Sequence, residues 1–277
     1  MKAPLGNPAG ATRPWRGDPP RALPAGAVED PGGALFETAI ERVSKRHARV
    51  YGMRRLEPEV MDEAVEADAY VSAAAETHLA RLDAAWIERV VAFGPRGRAC
   101  VLDVGTGGGQ IPAKLARRRS EWRIWGVDRA GAMLLAGRPD VAAMRRRAAA
   151  SIEPFRLGLG QAEARALPFG DGAFDLVISN SLLHHLGDPT AVLDEIARVA
   201  GASGRVLLRD LRRPPRGLLR AWVGWHGRRY GGAMRRLYAD SVAAAFTPEE
   251  IAIIARHSAL ARASVTPAGP YLLVARA

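Results

Sequence analysis

The spacing of apolar positions changes character along this chain. Between residues 35 and 93 they recur every three or four positions, in ALFETAIERVSKRHARVYG and PEVMDEAVEADAYVSAAAETHLARLDAAWIERVVAFG, with Pro or Gly at the breaks. That is the period of one helix face, so a helical lead-in is expected. From residue 99 short apolar runs alternate with helical segments. ACVLDV reads as a buried strand, IPAKLARRR as a helix, WRIWGVD as a strand, AGAMLLAGR as a helix and FRLGLGQ as a weak strand. FDLVISN follows as a strand, PTAVLDEIARVA as a helix and GRVLLRD as a strand. Near-continuous apolar strands joined by helices imply right-handed crossovers and a parallel sheet covered on both faces. The expected fold class is therefore α/β, Rossmann-like and doubly wound.

After residue 210 the rhythm stops. LRRPPRGLLRAWVGWHGRRYGGAMRRLYADSVAAAF, residues 211–246, is basic, aromatic and broken by Pro and Gly. TPEEIAIIARHSALARASVTPAGPYLLVARA then predicts a capped helix, a short strand at 261–265, a turn and a final strand at 271–275. Two terminal strands around a turn suit an antiparallel hairpin at the edge of a seven-stranded, mostly parallel sheet. Residues 1–34 are dense in Pro and Gly and lack the continuous apolar core of a signal peptide, so they read as a disordered tail. The expected division is a tail at 1–34, a helical cap at 35–94, and one domain at 95–277 with an insertion at about 211–246.

Composition narrows the partners. A net charge of +11 and a pI near 10.8 point toward an anionic partner such as nucleic acid or a lipid surface. Only Lys2, Lys45 and Lys114 are lysines, and an Arg, Ala and Gly bias also follows from GC-rich coding, which discounts the charge as evidence for nucleic acid. Cys100 is the single cysteine, which excludes an internal disulfide and a Cys-based metal cluster; no metal is expected. No apolar run reaches the roughly 18 residues of a membrane span, and a cytoplasmic location is expected.

VLDVGTGGGQ, residues 101–110, ends the first strand on a carboxylate and then breaks into glycines. In doubly wound sheets the first strand-to-helix turn meets the ligand. Gly105, Gly107 and Gly109 allow positive φ and close approach of a ligand to the backbone. The spacing fails the dinucleotide pattern G-x-G-x-x-G, and the absence of any Gly-Lys pair fails the P-loop. The stretch is D-x-G-x-G-x-G, which resembles motif I of the class I S-adenosylmethionine (SAM) dependent methyltransferases. A pyrophosphate wants bare amides, whereas SAM carries an ammonium and a sulfonium that suit a carboxylate.

That resemblance implies SAM as cofactor. It gives Asp103 the methionine ammonium, and Gly105, Thr106, Gly107 and Gly109 the loop around the sulfonium and ribose. Asp128, which ends WGVD, takes the position that accepts both ribose hydroxyls, and Met133 or Ala130 in the following segment lies against adenine. AEARALPFGDGAFDLVISN resembles a further family stretch. Aligned on ALPF, it puts Glu163 at the adenine amino group and Ala164 where a backbone amide meets the ring; aligned through GQAE, it puts Gln161 there instead. Asn180 falls where the backbone flanks the methyl group. The resemblance covers residues 99–210.

His184 and His185, in NSLLHHLGDP, follow the fourth strand near the expected donor face and are the candidates for a base that removes an acceptor proton; packing of one ring is the competing role. In the insertion, Trp222, Trp225, Tyr230 and Tyr238 alternate with Arg212, Arg213, Arg216, Arg220, Arg228 and Arg229. They suit either a lid over a flat anionic or amphipathic acceptor, or a basic helical cap with its aromatics turned inward. The leading expectation is methyl transfer to a small or lipid-like molecule, with peripheral contact to an anionic membrane as one way to collect it. The alternatives are an RNA methyltransferase and a non-catalytic scaffold. Against nucleic acid, the fourth strand ends in SNSLL rather than an N-P-P-Y type sequence, and Cys100 is misplaced for a cytosine-C5 nucleophile.

Overall fold

The computed structural model describes residues 50–56, 77–150 and 154–277. The expected tail at 1–34 and most of the helical lead-in lie outside the described residues. The strands are β1 (Ala99–Val104), β2 (Trp122–Asp128), β3 (Leu157–Gln161), β4 (Leu176–Asn180), β5 (Arg205–Leu211), β6 (Ser264–Ala268) and β7 (Tyr271–Arg276). They form one sheet in the order β3-β2-β1-β4-β5-β7-β6. The first five pair in parallel, and β7 runs antiparallel between β5 and β6. The expected doubly wound sheet with a terminal hairpin is the one observed.

Successive strand residues point to opposite faces, and both faces are covered, so the strands are apolar throughout. On one face Leu102, Val104, Val177 and Leu208 pack under α4 (Thr190–Ala200) and α7 (Pro248–Arg256). On the other, Val101, Ile124, Ile178 and Leu207 pack under α1 (Thr77–Phe93) and α2 (Gln110–Arg118). α3 (Gly131–Ala150) runs well past the predicted segment and through Pro139. An internal proline removes a helix hydrogen bond and costs about 3 kcal/mol; buried Val141 and Ala148 beyond it supply the packing that carries the helix on.

The insertion after β5 contains a short 3-10 turn, Arg216–Leu218, then α5 (Leu219–His226) and α6 (Gly232–Ala244). Its two ends meet: Arg212 bridges Phe246, and the Arg213 amide donates to the Phe246 carbonyl at 3.0 Å. α7 begins as predicted, on a capping box in which Thr247 and Glu250 satisfy each other's backbone amides. The strand expected at 261–265 is displaced to Ser264–Ala268, because the residues after α7 first close a turn in which Leu260 is buried and its carbonyl accepts from Ala263.

Candidate active site

The strand order reverses between β1 and β4, and the crevice beyond their carboxyl ends is where this architecture binds ligands. The glycine loop sits there. The Gly105 and Thr106 amides both donate to the Val127 carbonyl, at 2.9 and 3.0 Å, which ties the loop to the end of β2. Gly105, Gly107 and Gly109 all have positive φ, as expected. A side chain at Gly105 would press on Leu182, and one at Gly107 on the methyl of Met133, so the loop keeps a bare surface between two apolar residues. On its far side Gly137 of α3 lies directly on the Gly108 carbonyl, where no Cβ fits.

Asp103 is 2% exposed, and the Thr106 hydroxyl donates to it at 2.7 Å. Burial pushes its carboxyl from 3.8 up to about 7; the Thr106 hydrogen bond opposes the rise, while the charges of Asp128 and Asp83 add to it. No cationic side chain among the described residues pairs with it; Lys114 of α2 pairs with Asp83 at 2.8 Å. At the start of α2, the Gln110 side-chain nitrogen is buried without a hydrogen-bond partner. A buried carboxylate short of a cation, a buried amide short of an acceptor, and a loop stripped of Cβ atoms fit a ligand bearing both an ammonium and a carboxylate. SAM bears both, and Gln110 is a residue at this loop that sequence reasoning missed.

Asp128, at the end of β2, accepts from the Gly107 amide at 2.7 Å and the Ala130 amide at 2.9 Å. Those amides hold one oxygen each, which orients the carboxylate at the loop's edge. Met133 and Ala130 form a small buried cluster beside it. Glu163 is exposed and 4.0 Å from the Arg129 guanidinium, and Ala164 packs against the core. Gln161, the other candidate at this place, donates to the Arg129 carbonyl at 2.8 Å. Thus Asp103, Thr106, the glycines, Asp128 and Met133 are brought together, and Glu163 stands at the periphery.

Asn180 ends β4, and its side-chain oxygen accepts from Arg209 at 2.6 Å. Arg209 is itself buried, 4.9 Å from the Trp86 ring centroid and 4.7 Å from that of Tyr271. Ser181 follows with φ of +62°, a left-handed conformation that costs a non-glycine residue about 1–2 kcal/mol and turns the chain sharply at the crevice. The two histidines then part company. His184 is 2% exposed, and its Nδ1 lies 2.6 Å from the equally buried Asp210 carboxylate; His185 is exposed, its ring 4.1 Å from that of His184. Where that carboxylate is ionised it can only accept, which places a proton on Nδ1 and makes Nε2 the nitrogen that gains or loses one. Asp210 also accepts from the Leu183 amide. The signal for it was available, since Asp103, Asp128 and Asp210 are each an acid at or next to the last residue of an apolar strand.

A third missed residue lies far upstream. The Arg54 guanidinium donates to the carbonyls of His184, Leu186 and Gly187 and to that of Ala244 at the end of α6, and it stacks 3.8 Å over Phe246. It fastens the histidine segment to the insertion. Within the insertion the aromatics divide. Trp222 and Tyr238 pack inward with Leu211 and Val242, whereas Trp225 is 66% exposed beneath Arg228.

Residues 102–208 match the profile of a family described as "Methyltransferase domain". The chain is 34% identical over 145 residues to a demethylmenaquinone methyltransferase of Roseiflexus castenholzii, covering 51% of this chain and 56% of that one. It is 30% identical over 174 residues to a demethylmenaquinone methyltransferase of another Roseiflexus strain, covering 62% and 68%. The chain thus spans between about half and two thirds of the length of these relatives. Among solved structures, a SAM-dependent methyltransferase from Aquifex aeolicus superposes with a TM-score of 0.54 at 18% identity, over 75% of this chain and 96% of that one, a likeness of fold.

Proposed function

Since the chain belongs to the class I SAM-dependent methyltransferases, we propose that its crevice delivers a methyl group from SAM to a small lipid-like acceptor, a quinone-type aromatic ring being the class suggested by its relatives. The observation that carries the cofactor reading is Asp103, a buried carboxylate whose charge no side chain among the described residues balances. SAM, when bound, supplies a methyl group already activated on a sulfonium. What remains for the protein is alignment, exclusion of water and removal of an acceptor proton.

In this reading Asp103 takes the methionine ammonium and Gln110 the neighbouring polar end. Asp128, pre-oriented by two amides, accepts from the ribose diol. Met133 lies along the adenine, with Glu163 and the Ala164 amide at its edge, and the Asn180 backbone borders the methyl. His184, its tautomer set by Asp210, receives the acceptor proton at Nε2; His185 does not. The insertion at 211–246 covers the acceptor, its inner wall built from Trp222 and Tyr238. The charge reading in favour of RNA finds no observation at the crevice to support it.

The test is incubation with methyl-labelled SAM and a fractionated cell extract. Label is expected in the lipid fraction, and label in RNA would replace the acceptor class. At saturating SAM, His184→Gln is expected to lower turnover by about 100-fold, within the range for loss of a general base, while His185→Gln leaves it within about 3-fold. Equal turnover in both variants and the wild type would remove the base assignment.

A further inference from the structure

The exposed large apolar side chains among the described residues are Val50, Met53, Leu56, Leu135, Leu218 and Trp225. All but Leu135 belong to two segments that touch. Gly52 lies against the aliphatic part of Arg216, which opens the turn carrying Leu218. Leu218 closes the 3-10 turn and caps α5, which carries the exposed Ala221 and Trp225 three and seven residues further on. The upstream segment is fixed in place: Arg54 is held by four carbonyls and the Arg55 amide donates to the Ala243 carbonyl, while Met53 between Gly52 and Arg54 remains 76% exposed.

The charge of this region is predominantly positive. Residues 211–246 carry eight arginines and a single acid, Asp240. Arg216, Arg220, Arg228, Arg229, Arg235 and Arg236 are exposed, and Arg228 stacks 4.4 Å from the Trp225 ring centroid. Here large apolar side chains project from a surface rich in exposed arginines, with Arg228 lying over Trp225. Such a surface matches the boundary of an anionic bilayer, where apolar tips enter the acyl region and cations meet headgroup charge.

We propose that this face, formed by residues 50–56 together with the 3-10 turn and α5 of the insertion, docks the protein on an anionic lipid surface. The contact stands independently of the methyl-transfer reading. If both hold, the acceptor is collected at the membrane by the element that covers it.

The full chain is mixed with vesicles of phosphatidylglycerol and phosphatidylcholine, and separately with vesicles of phosphatidylcholine alone, and sedimented. Binding is expected to the anionic vesicles only and to fall as salt is raised. Met53→Ser/Trp225→Ser is expected to lower partitioning by about tenfold. Arg220→Glu/Arg228→Glu does the same by charge alone and serves where the apolar variant fails to fold; circular dichroism melting identifies the folded variants. No binding, equal binding to neutral vesicles, or undiminished binding by the folded variants would overturn the proposal. So would a dimer in ultracentrifugation that the apolar variant dissociates while vesicles remain unbound. None of these readouts requires SAM or turnover, so the docking and the methyl-transfer reading can fail separately.

Discussion

In the proposed function, Asp103 is the residue at which folding and ligand binding pull in opposite directions. With its carboxyl raised from 3.8 to about 7 by burial, the folded chain keeps a proton that the unfolded chain releases. Its contribution therefore favours the folded state at low pH and is lost as pH rises between those two values, becoming constant above about 7. Binding of an ammonium needs the ionised form, so apparent SAM affinity is expected to rise with pH and level off near 7. Asp103→Asn should weaken SAM binding by at least about 10-fold at pH 8, flatten this pH dependence, and leave the melting temperature of the ligand-free protein undiminished, because a buried unpaired charge is gone. Calorimetry across pH checks the first two, and thermal unfolding the third. Its position beside the glycine turn was legible in the sequence, because Asp103 and the glycines form one motif with fixed spacing. Gln110 and Arg54 were not: an orphaned amide and a guanidinium gathering distant carbonyls exist only once tertiary contacts form.

At the scale of elements, the parallel strands were legible because each is apolar on both faces, and α7 because Thr247, Pro248 and Glu250 spell out its cap. Helix α3 was underestimated: its proline reads locally as a stop, and only packing at Val141 and Ala148 overrides it. β6 was misplaced because SALARASV carries no period that marks where the turn ends. The same helix α3 accounts for Gly137, which lies on the Gly108 carbonyl where no Cβ fits; nothing in the structure explains why residue 108 is itself glycine. Gly137→Ala is expected to cost about 1–3 kcal/mol through overpacking and to weaken SAM binding as the helix lifts from the loop. Unfolding by denaturant with and without SAM measures both effects, and an unchanged midpoint would mean that the helix moves at no cost.

For the whole molecule, the decisive feature is how the insertion is rooted. Arg213, 4% exposed, reaches Glu250 and the Ala245 carbonyl, so the pair that caps α7 also pins the returning chain. Glu250→Ala leaves a buried guanidinium uncompensated and is expected to lower stability by about 3–5 kcal/mol, visible as a lower melting temperature. Because Arg212 and Phe246 are bridged, the insertion leaves and re-enters the sheet through a single doorway, and Arg54 is a tether from outside it. A segment joined in this way is interchangeable in principle. Where the insertion covers the acceptor, as proposed, its length and inner surface can diverge without disturbing the glycine loop or the His184–Asp210 pair, so a new acceptor shape is met by a new insert on an inherited base.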